Sequence, residues 1–469
     1  MNVQSQTQEL TGFGYHTAEE VQELQKALSI GGQYATTTPG NLSGGPALAV
    51  EDLDRTLKLV TASLEDLVLW KDVIKQKVMQ TVGQYNVQNQ YGNEVSPFFT
   101  MGSTPTSTDA GYNRDVFIVK YLGTQGSVQH NLTLIQAAHG PVVAREVKNK
   151  TVELLERNER AMFDADSTIN SLEYDGIDSQ IRVKGVQSKY IPQGWVGYNK
   201  VGVDDTPVLD TRSAGATSQL SQDFNEEAAL RALNNFGRPK QMYLATDIHS
   251  EYSRSFYLSQ RTMPGMMQPS GWYTPDFRGT LKFDFRPSVF LRARQGVLSS
   301  AVSAGSAPTF TLSHTAGAGS MFAASDAGTY SYQISAVYAD GETLPAAASS
   351  VSVVAGDVVS AAITYSGSPL YFNIFRAPIN TTVGQLFIGR IAPAGTGVST
   401  PIDSNVRLPG SSRAYLLMND PDVLAWKQLG SLIKYDLAVT NTSYQWLQLL
   451  YGSMLVTGPR KNVIIDNLG

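Results

Sequence analysis

The region from Pro141 to Asp166 carries the clearest pattern of hydrophobic and polar positions in the chain. Its apolar residues recur at helical spacing and form one stripe, made of Val143, Val147, Leu154, Leu155, Ala161 and Met162. Pairs of opposite charge stand four residues apart with the acid first, namely Glu146–Lys150, Glu153–Arg157 and Glu156–Arg160. The pattern predicts one long amphipathic helix of roughly 35–40 Å. Taken alone, it would also fit an ordinary surface helix.

Residues 1–60 have the composition of an extended arm. Residues 30–47 are mostly Gly, Thr, Pro and Ser, from which no apolar core can form. Thr17 and Glu20 make a capping-box pattern that predicts a short helix ending near Leu28. We expect such a segment to become ordered only where it lies across another surface.

Residues 61–137 combine two patterns. Apolar residues at helical spacing predict a helix within Leu64–Val82, and alternating polar and apolar residues follow. Strands are predicted over Asp115–Leu122 and Val128–Ile135. We therefore expect a long two-stranded β-ribbon with a polar tip. Because isolated two-stranded ribbons are marginally stable in water, this one requires a neighbour to lie on.

Residues 138–296 contain the long helix and then alternate helices with strands. The predicted elements are a helix from an N-capping Asp223 to Gly237, a strand over Gln241–Ala245, a helix from Asp247, and a strand pair or long edge strand over Leu281–Leu291. This order is typical of an α+β domain.

The composition changes sharply in residues 297–412. No lysine occurs between Lys282 and Lys427, and Ala, Ser, Gly, Thr and Val dominate. Short strands are predicted over Tyr330–Tyr338, Val351–Val354, Ala361–Tyr365, Tyr371–Arg376 and Gln385–Ile391. Strands at a spacing of roughly ten residues, with turns between them, indicate an all-β sandwich.

The α+β pattern returns in residues 413–469. The predicted elements are a strand over Tyr415–Met418, a short helix within Asp420–Leu429, and strands over Ser431–Val439, Tyr444–Leu447, Leu449–Thr457 and Asn462–Ile465. The sandwich is therefore predicted to be an insertion that interrupts one α+β domain.

The totals exclude several classes of protein. A chain of 469 residues has room for a large core in several domains. Its net charge of −5 provides no bulk attraction to nucleic acid or to an anionic membrane. The absence of cysteine excludes disulfides, thiol nucleophiles and Cys-ligated zinc. The first ten residues lack the pattern of a signal peptide, and no apolar run is long enough to predict a membrane span.

Catalytic and cofactor-binding patterns are absent from the sequence. None of the five histidines pairs at helical spacing, and no zinc-protease, dinucleotide-binding, phosphate-loop or nucleophile-elbow motif occurs. The weak candidates are His139 as a catalytic group, Asp164 with Asp166, Asp204 with Asp205 and Asp420 with Asp422 as cation ligands, and Gly458–Lys461 as a nucleic-acid contact. Turns, helix ends and solvated loops explain each of them better. We predict a non-enzyme with no catalytic residue, cofactor or metal site.

Three stretches resemble the major capsid proteins of tailed bacteriophages, which share the Hong Kong 97-type shell fold. They are GPVVAREVKNKTVELLERNERAMFDADS followed by EYDGI, then FNEEAALRALNNFGRPKQMYLATDIHSEYSRSF, and the closing LLYGSMLVTGPRKNVIIDNL. The insertion resembles a fibronectin type III or immunoglobulin-like domain in TYSYQISAVYADGETLP and YFNIFRAP.

The resemblance implies an α+β Hong Kong 97-type capsid fold with an N-arm, an E-loop ribbon, a spine helix, and P- and A-domains. The corresponding segments are an arm at 1–60, a helix and ribbon at 61–137, the spine helix and core at 138–296, the Ig-like insertion at 297–412, and the return to the core at 413–469. The insertion is expected to project from the outer surface of a shell.

The implied function is that of a major capsid subunit that self-assembles as hexamers and pentamers. The resemblance implies an icosahedral head that encloses DNA and contacts it on the inner face without sequence specificity. It also implies assembly in the host cytoplasm, with no membrane as a partner. Scaffolding, portal and decoration proteins are further candidate partners. We expect Arg145, Lys148, Glu153 and Arg157 on the spine helix to contact a neighbour's arm or ribbon.

Two alternatives remain open at this point. A secreted carbohydrate-binding or adhesion protein would use the Ig-like domain, but Trp272, Trp426 and Trp446 all lie outside that domain. A bacterial compartment shell of the encapsulin type would share the fold but usually lacks such an insertion.

Overall fold

The computed structural model describes residues 61–92, 98–104, 109–135, 141–192, 206–213, 216–255, 277–291, 296–303, 305–438 and 442–469. The predicted arm at residues 1–60 lies outside these ranges, and so do parts of the ribbon tip, His139, and Asp204 with Asp205.

The described α-helices all lie within Val68–Ser255, and most of the described strands follow them. The helices are α1 (Val68–Asp72), α2 (His130–Leu134), α3 (Val142–Asp164), α4 (Ile177–Gly185), α5 (Gln222–Asn234) and α6 (Thr246–Ser255). The strands before the insertion are β1 (Lys75–Lys77), β2 (Val82–Gln90), β3 (Gly111–Ile118), β4 (Lys120–Gln129), β5 (Val208–Asp210), β6 (Gln241–Ala245), β7 (Phe277–Arg278) and β8 (Lys282–Ser288). The strands that follow are β9 (Thr309–Ala316), β10 (Gly328–Tyr338), β11 (Gly341–Glu342), β12 (Ser349–Val353), β13 (Asp357–Thr364), β14 (Tyr371–Arg376), β15 (Leu386–Ile391), β16 (Ser399–Asp403), β17 (Ser412–Leu417), β18 (Leu424–Gln428), β19 (Ile433–Asp436), β20 (Ser443–Val456) and β21 (Val463–Leu468).

The long helix α3 forms as predicted over 23 residues, which corresponds to about 35 Å. Its buried residues are Leu154, Leu155, Asn158, Glu159, Met162 and Phe163. Val143 and Val147 of the predicted stripe are only half-buried. Two of the predicted ion pairs are present, Glu153–Arg157 at 2.6 Å and Glu156–Arg160 at 2.9 Å, whereas Lys150 pairs with Glu153 at 2.7 Å. The buried face therefore includes two polar residues that periodicity did not identify.

Two mixed sheets share one apolar core with α3. The first has the order β1-β18-β20-β19, with β4 also paired to β20, and the second has the order β5-β21-β17-β6-β8-β7. The core residues include Met162, Phe163, Tyr243, Trp426 and Ile464, all of them buried. Both sheets thus depend on strands from the last segment of the chain, in agreement with the prediction of an α+β fold.

Several predicted elements are wrong. Residues within Asp420–Leu429 form strand β18 and not a helix, because β18 pairs with β20 on one side and with β1 on the other. The region Val128–Ile135 forms the end of β4 and then α2, and is not a strand throughout. The predicted helix within Leu64–Val82 is limited to α1 and a preceding 3-10 turn. In addition, Ser221, and not Asp223, caps α5 by accepting a hydrogen bond from Phe224 N.

Residues between the two halves of the core form a two-sheet sandwich. One sheet has the order β11-β10-β14-β15 with β12 also paired to β10, and the other has the order β16-β13-β9. Its apolar cluster, which includes Tyr332, Ile334, Val359 and Phe372, is separate from that of the two core sheets. Three of its strands, β9, β11 and β16, were not predicted. A sandwich with its own core interrupts the six-stranded sheet between β8 and β17.

Among the residues that the structure describes, no helix is both long enough and apolar enough to cross a membrane.

Candidate functional site

The ribbon formed by β2 and β3 is a two-stranded sheet that pairs with no other described strand. Val82 lies opposite Ile118, and Gln84 lies opposite Val116. Along both strands, successive side chains alternate between an exposed face and a half-buried face of the ribbon. The exposed face and the connecting segment carry large apolar side chains, namely Val82, Tyr91, Phe98, Phe99, Met101, Tyr112, Val116 and Ile118. An exposed apolar surface on a narrow ribbon favours contact with another protein surface.

The half-buried face of the ribbon is held by a polar cluster. Tyr190 Oη lies 2.5 Å from Tyr85 Oη and donates a short hydrogen bond to Asp115, while Lys189 Nζ lies 3.0 Å from Asp115 Oδ2. Lys184 Nζ also donates to Tyr85 Oη over 3.2 Å. Burial alone would raise the pKa of Asp115, but the hydrogen bond from Tyr190 and the nearby lysines lower it to about 2. The Asp115 carboxylate, on the half-buried face of the ribbon, is therefore charged at neutral pH.

The ribbon root, defined as residues 67–77, packs against α3. It comprises α1 and β1, and Leu67 at the N-cap of α1 makes no side-chain capping hydrogen bond. The cap comes instead from α3, because Glu159 Oε1 accepts from Leu69 N at 2.8 Å and Glu159 Oε2 accepts from Trp70 N at 2.7 Å. Glu159 is 0% exposed, and burial raises its pKa to about 7. One carboxylate thus joins the long helix to the segment from which the ribbon emerges.

The four charged residues predicted to contact a neighbour lie along α3. Lys148 is exposed, Arg145 is half-buried, and the Arg157 side chain is 75% exposed. Glu153 lies between Lys150 and Arg157 within the helix. Lys148 and Arg157 therefore have the accessibility that an intermolecular contact requires, whereas Glu153 already has two partners in its own helix.

A buried ionic cluster joins α4 to the six-stranded sheet. Arg182 donates to both oxygens of Asp466 at 2.6 and 2.7 Å and to Asp178 at 3.0 Å. Arg413 lies 3.0 Å from Asp178 and 3.1 Å from Asp466. Burial would raise the pKa of Asp178, but Arg413 and Arg182 hold it below its usual value. Sequence reasoning missed this cluster, although single charges beside the apolar runs Tyr415–Leu417 and Val463–Ile465 are its signal.

Arginine side chains are among the groups that attach the sandwich to the core. Arg390 of β15 lies 3.2 Å from Glu173 and also donates to the carbonyl oxygen of Asp164. From the core, Arg212 Nη1 donates to Asn405 O at 2.6 Å. A polar cavity of about 710 Å³ lies beside Arg390, lined by residues of both the core and the sandwich. The sandwich therefore contacts the core through directional polar bonds and a solvent-accessible space.

The weak chemical candidates that lie within the described residues have structural partners. Asp166 Oδ1 accepts from Thr168 N at 2.9 Å, and Asp420 Oδ1 accepts from Asp422 N at 3.0 Å, as expected for turns. Arg460 Nε donates to Gly185 O at 2.7 Å, so that side chain fixes the closing turn to α4. In the described part of the chain, no group of three or more His, Asp or Glu residues is arranged to hold a metal ion.

Comparison with known proteins gives the following similarities. No family model matches the chain. Among solved structures, the holo-SrpI encapsulin complex from Synechococcus elongatus PCC 7942 is similar with a TM-score of 0.41 and 10% identity, covering 90% of this chain and 93% of that chain. The structure of phage G gp27 major capsid proteins and gp26 decoration proteins gives a TM-score of 0.40 and 8% identity, covering 92% of this chain and 100% of that chain.

The sequence similarities extend over nearly the whole chain. The major capsid proteins of Staphylococcus phage S25-3 and Staphylococcus phage K are each 23% identical to this chain. Each match covers 96% of this chain and 96% of the relative, so it includes the ribbon, α3, both core sheets and the sandwich. Over 96% of its length, this chain is therefore similar in sequence to the major capsid proteins of two staphylococcal phages.

Proposed function

We propose that this chain is the major capsid protein of a tailed-phage head, with a Hong Kong 97-type shell fold. The observation that carries the proposal is the match to phage major capsid proteins over 96% of both chains. The protein is a structural component of the virion and not an enzyme. It assembles with copies of itself into the shell, which accounts for a ribbon that exposes apolar side chains.

Electron microscopy of the purified full-length chain tests this function. Icosahedral particles or rings of capsomers are expected, because burial of the ribbon between copies is the proposed driving force. Obligate interfaces between subunits commonly bury more than about 2,000 Å². A monodisperse monomer at high protein concentration would refute the proposal.

The finer organisation of the shell is also part of the proposal. The subunits pack as hexamers and pentamers, and residues 1–60 reach across neighbouring subunits as an N-arm. Scaffolding, portal and decoration proteins are the expected further partners, and packaged DNA contacts the inner face without sequence specificity. Cryo-electron microscopy of assembled heads would locate each of these contacts, and an arm that stays on its own subunit would contradict this organisation.

We propose that residues 297–412 form an Ig-like insertion on the outer surface. The separate apolar cluster of the sandwich and its polar attachment to the core support this assignment. Deleting residues 297–411 and joining the ends with a flexible linker leaves β17 intact. Shells should still assemble from the shortened chain. Loss of assembly, in a chain whose core still unfolds cooperatively, would place the insertion within the lattice contacts.

The charged residues Arg145, Lys148, Glu153 and Arg157 are proposed to contact a neighbouring arm or ribbon. The exposure of Lys148 and Arg157 supports this role. Lys148→Glu combined with Arg157→Glu should strongly reduce particle yield. The free subunit should lose at most about 1 kcal/mol of stability, because the Glu153–Arg157 pair that is broken lies at the surface. Unchanged particle yield would exclude the contact.

A further inference from the structure

The ribbon root depends on a carboxylate that lies on another element. The two amides at the start of α1 have no capping side chain from their own segment, and Glu159 of α3 supplies both acceptors. Leu67, at the N-cap of α1, and Leu69, whose amide bonds to Glu159, are both buried in the core. The contact joins positions about 90 residues apart in the chain. Any movement of the ribbon root away from α3 must therefore expose Glu159 to water.

Among the described residues, no positively charged side chain makes a hydrogen bond or an ion pair with Glu159, which accepts from Leu69 N and Trp70 N. Lys75 donates through Nζ to Trp70 O at 2.6 Å and lies 4.5 Å above the Trp70 ring. Asp72, from α1, accepts from Tyr243 Oη at 2.9 Å. Tyr174, in the segment after α3, faces Glu159 as a third titratable group. A carboxylate held mainly by neutral N–H groups in the core keeps its charge only at a large desolvation cost.

We propose that Glu159 is a proton-dependent latch that holds the ribbon root against the spine helix α3. In the closed state Glu159 is buried as observed, and in the open state the root separates from α3 and water reaches the carboxylate. Burial raises the pKa of Glu159 to about 7, although the hydrogen bonds from Leu69 N and Trp70 N lower it; Asp72 adds a smaller increase and Lys75 a smaller decrease. The closed state therefore binds the proton more tightly than the open state. A fall in pH therefore favours closure, and a rise in pH favours opening.

The size of the effect follows from linkage. With a pKa of about 7 when closed and the ordinary value of 4.5 when open, the opening equilibrium constant increases at most about 300-fold as Glu159 ionises. Between about pH 5 and about pH 8 the same relation gives an increase of roughly 70-fold. This inference does not depend on the proposed function, because the opening is a property of a single chain.

Hydrogen–deuterium exchange of the full-length chain tests the latch. Amides of residues 67–77 should lose protection by roughly 70-fold between about pH 5 and about pH 8, after correction for the intrinsic exchange rate. Amides in β6, which do not contact Glu159, should keep a constant corrected protection. A pH-independent ribbon root would overturn the proposal.

Two substitutions and one matched control sharpen the test. Glu159→Gln cannot ionise, so opening of the root should become independent of pH, whereas Glu156→Gln, on the same helix beside Arg160, should retain the wild-type dependence. Lys75→Met removes a charge that favours the ionised form, so the opening curve should move to higher pH. If Glu159→Gln keeps the wild-type pH dependence, another group is responsible. Wild type and Lys75→Met test the latch even if the Gln variant folds poorly.

Discussion

Gly452 offers a quantitative test of the packing in the five-stranded sheet. It lies in β20 opposite Gln428, and a Cβ atom at this position would lie 2.2 Å from Trp426 Cζ2 and 2.5 Å from Trp426 Cε2. Trp426 is fully buried. Its ring makes T-shaped contacts with Trp70 and Tyr174, with 5.5 and 5.3 Å between the ring centroids. Because the indole is enclosed on these sides, it cannot move away from an added methyl group without disturbing two other aromatic rings.

We expect Gly452→Ala to lower the free energy of unfolding by about 1–2 kcal/mol. Overpacking of a core costs about 1–3 kcal/mol, and the loss of glycine flexibility in the unfolded chain offsets about 0.4–1 kcal/mol of that cost. Gly389→Ala in β15 is the matched control, since no atom lies within 4 Å of its added Cβ. The control should be neutral or more stable by up to about 1 kcal/mol.

Urea unfolding followed by tryptophan fluorescence measures both variants, and a second background isolates the cause. Trp426→Phe removes the two ring atoms that meet the new methyl group. In that background Gly452→Ala should cost at least 0.5 kcal/mol less, which is the scale of coupling between residues in contact. Equal costs in the two backgrounds would show that the indole does not restrict Gly452, and the packing argument would fail.

Three further outcomes are expected. Asp178→Asn should destabilise the core by about 3–5 kcal/mol in urea unfolding, because Arg413 loses a buried partner. In the wild type, the stability that Asp178 contributes is present above its unfolded-state pKa of 3.8. It is lost as the pH falls towards the lower folded-state pKa. Tyr190→Phe removes the hydrogen bond to Asp115 of the ribbon and should weaken the attachment of the ribbon to the core by about 1.5–3 kcal/mol, measured as faster exchange of the ribbon amides with unchanged exchange in α5. Arg390→Met should leave the unfolding midpoint of the sandwich unchanged but increase proteolysis at its junction with the core, and equal protection from protease would contradict the attachment by arginine.

The elements that sequence reasoning predicted correctly are those with local signals. Helix α3 has a long apolar period, α5 has clear signals at both ends, and β6 is a short apolar run before a helix. The helix prediction at β18 was wrong although a local strand signal was present. Leu424 and Trp426 stand two residues apart, which is the period of a strand, and pairing with β1 and β20 fixes that strand.

The candidate site was predictable only in part. A two-stranded ribbon and the exposed charges Lys148 and Arg157 were expected from alternation and from helical periodicity. Strand β2 was not predicted, and the tip, expected to be polar, exposes Tyr91, Phe98 and Phe99. The buried role of Glu159 does not, because the residue lies in a highly charged segment and its partner amides are about 90 residues earlier in the chain. Local patterns carry no information about a carboxylate that caps a distant helix, so this contact required the three-dimensional structure.

The sheet order has a consequence for synthesis on the ribosome. Strands β17, β18, β20 and β21 occupy central or linking positions in the two core sheets, and all of them follow Leu408. The sandwich, in contrast, has all of its strands once Asp403 has emerged. Because domains fold as units during translation, the sandwich should fold before the ribosome has synthesised the last strands of the core. A prematurely terminated polypeptide would carry a folded sandwich on an unfinished core, and would therefore be unable to enter a particle.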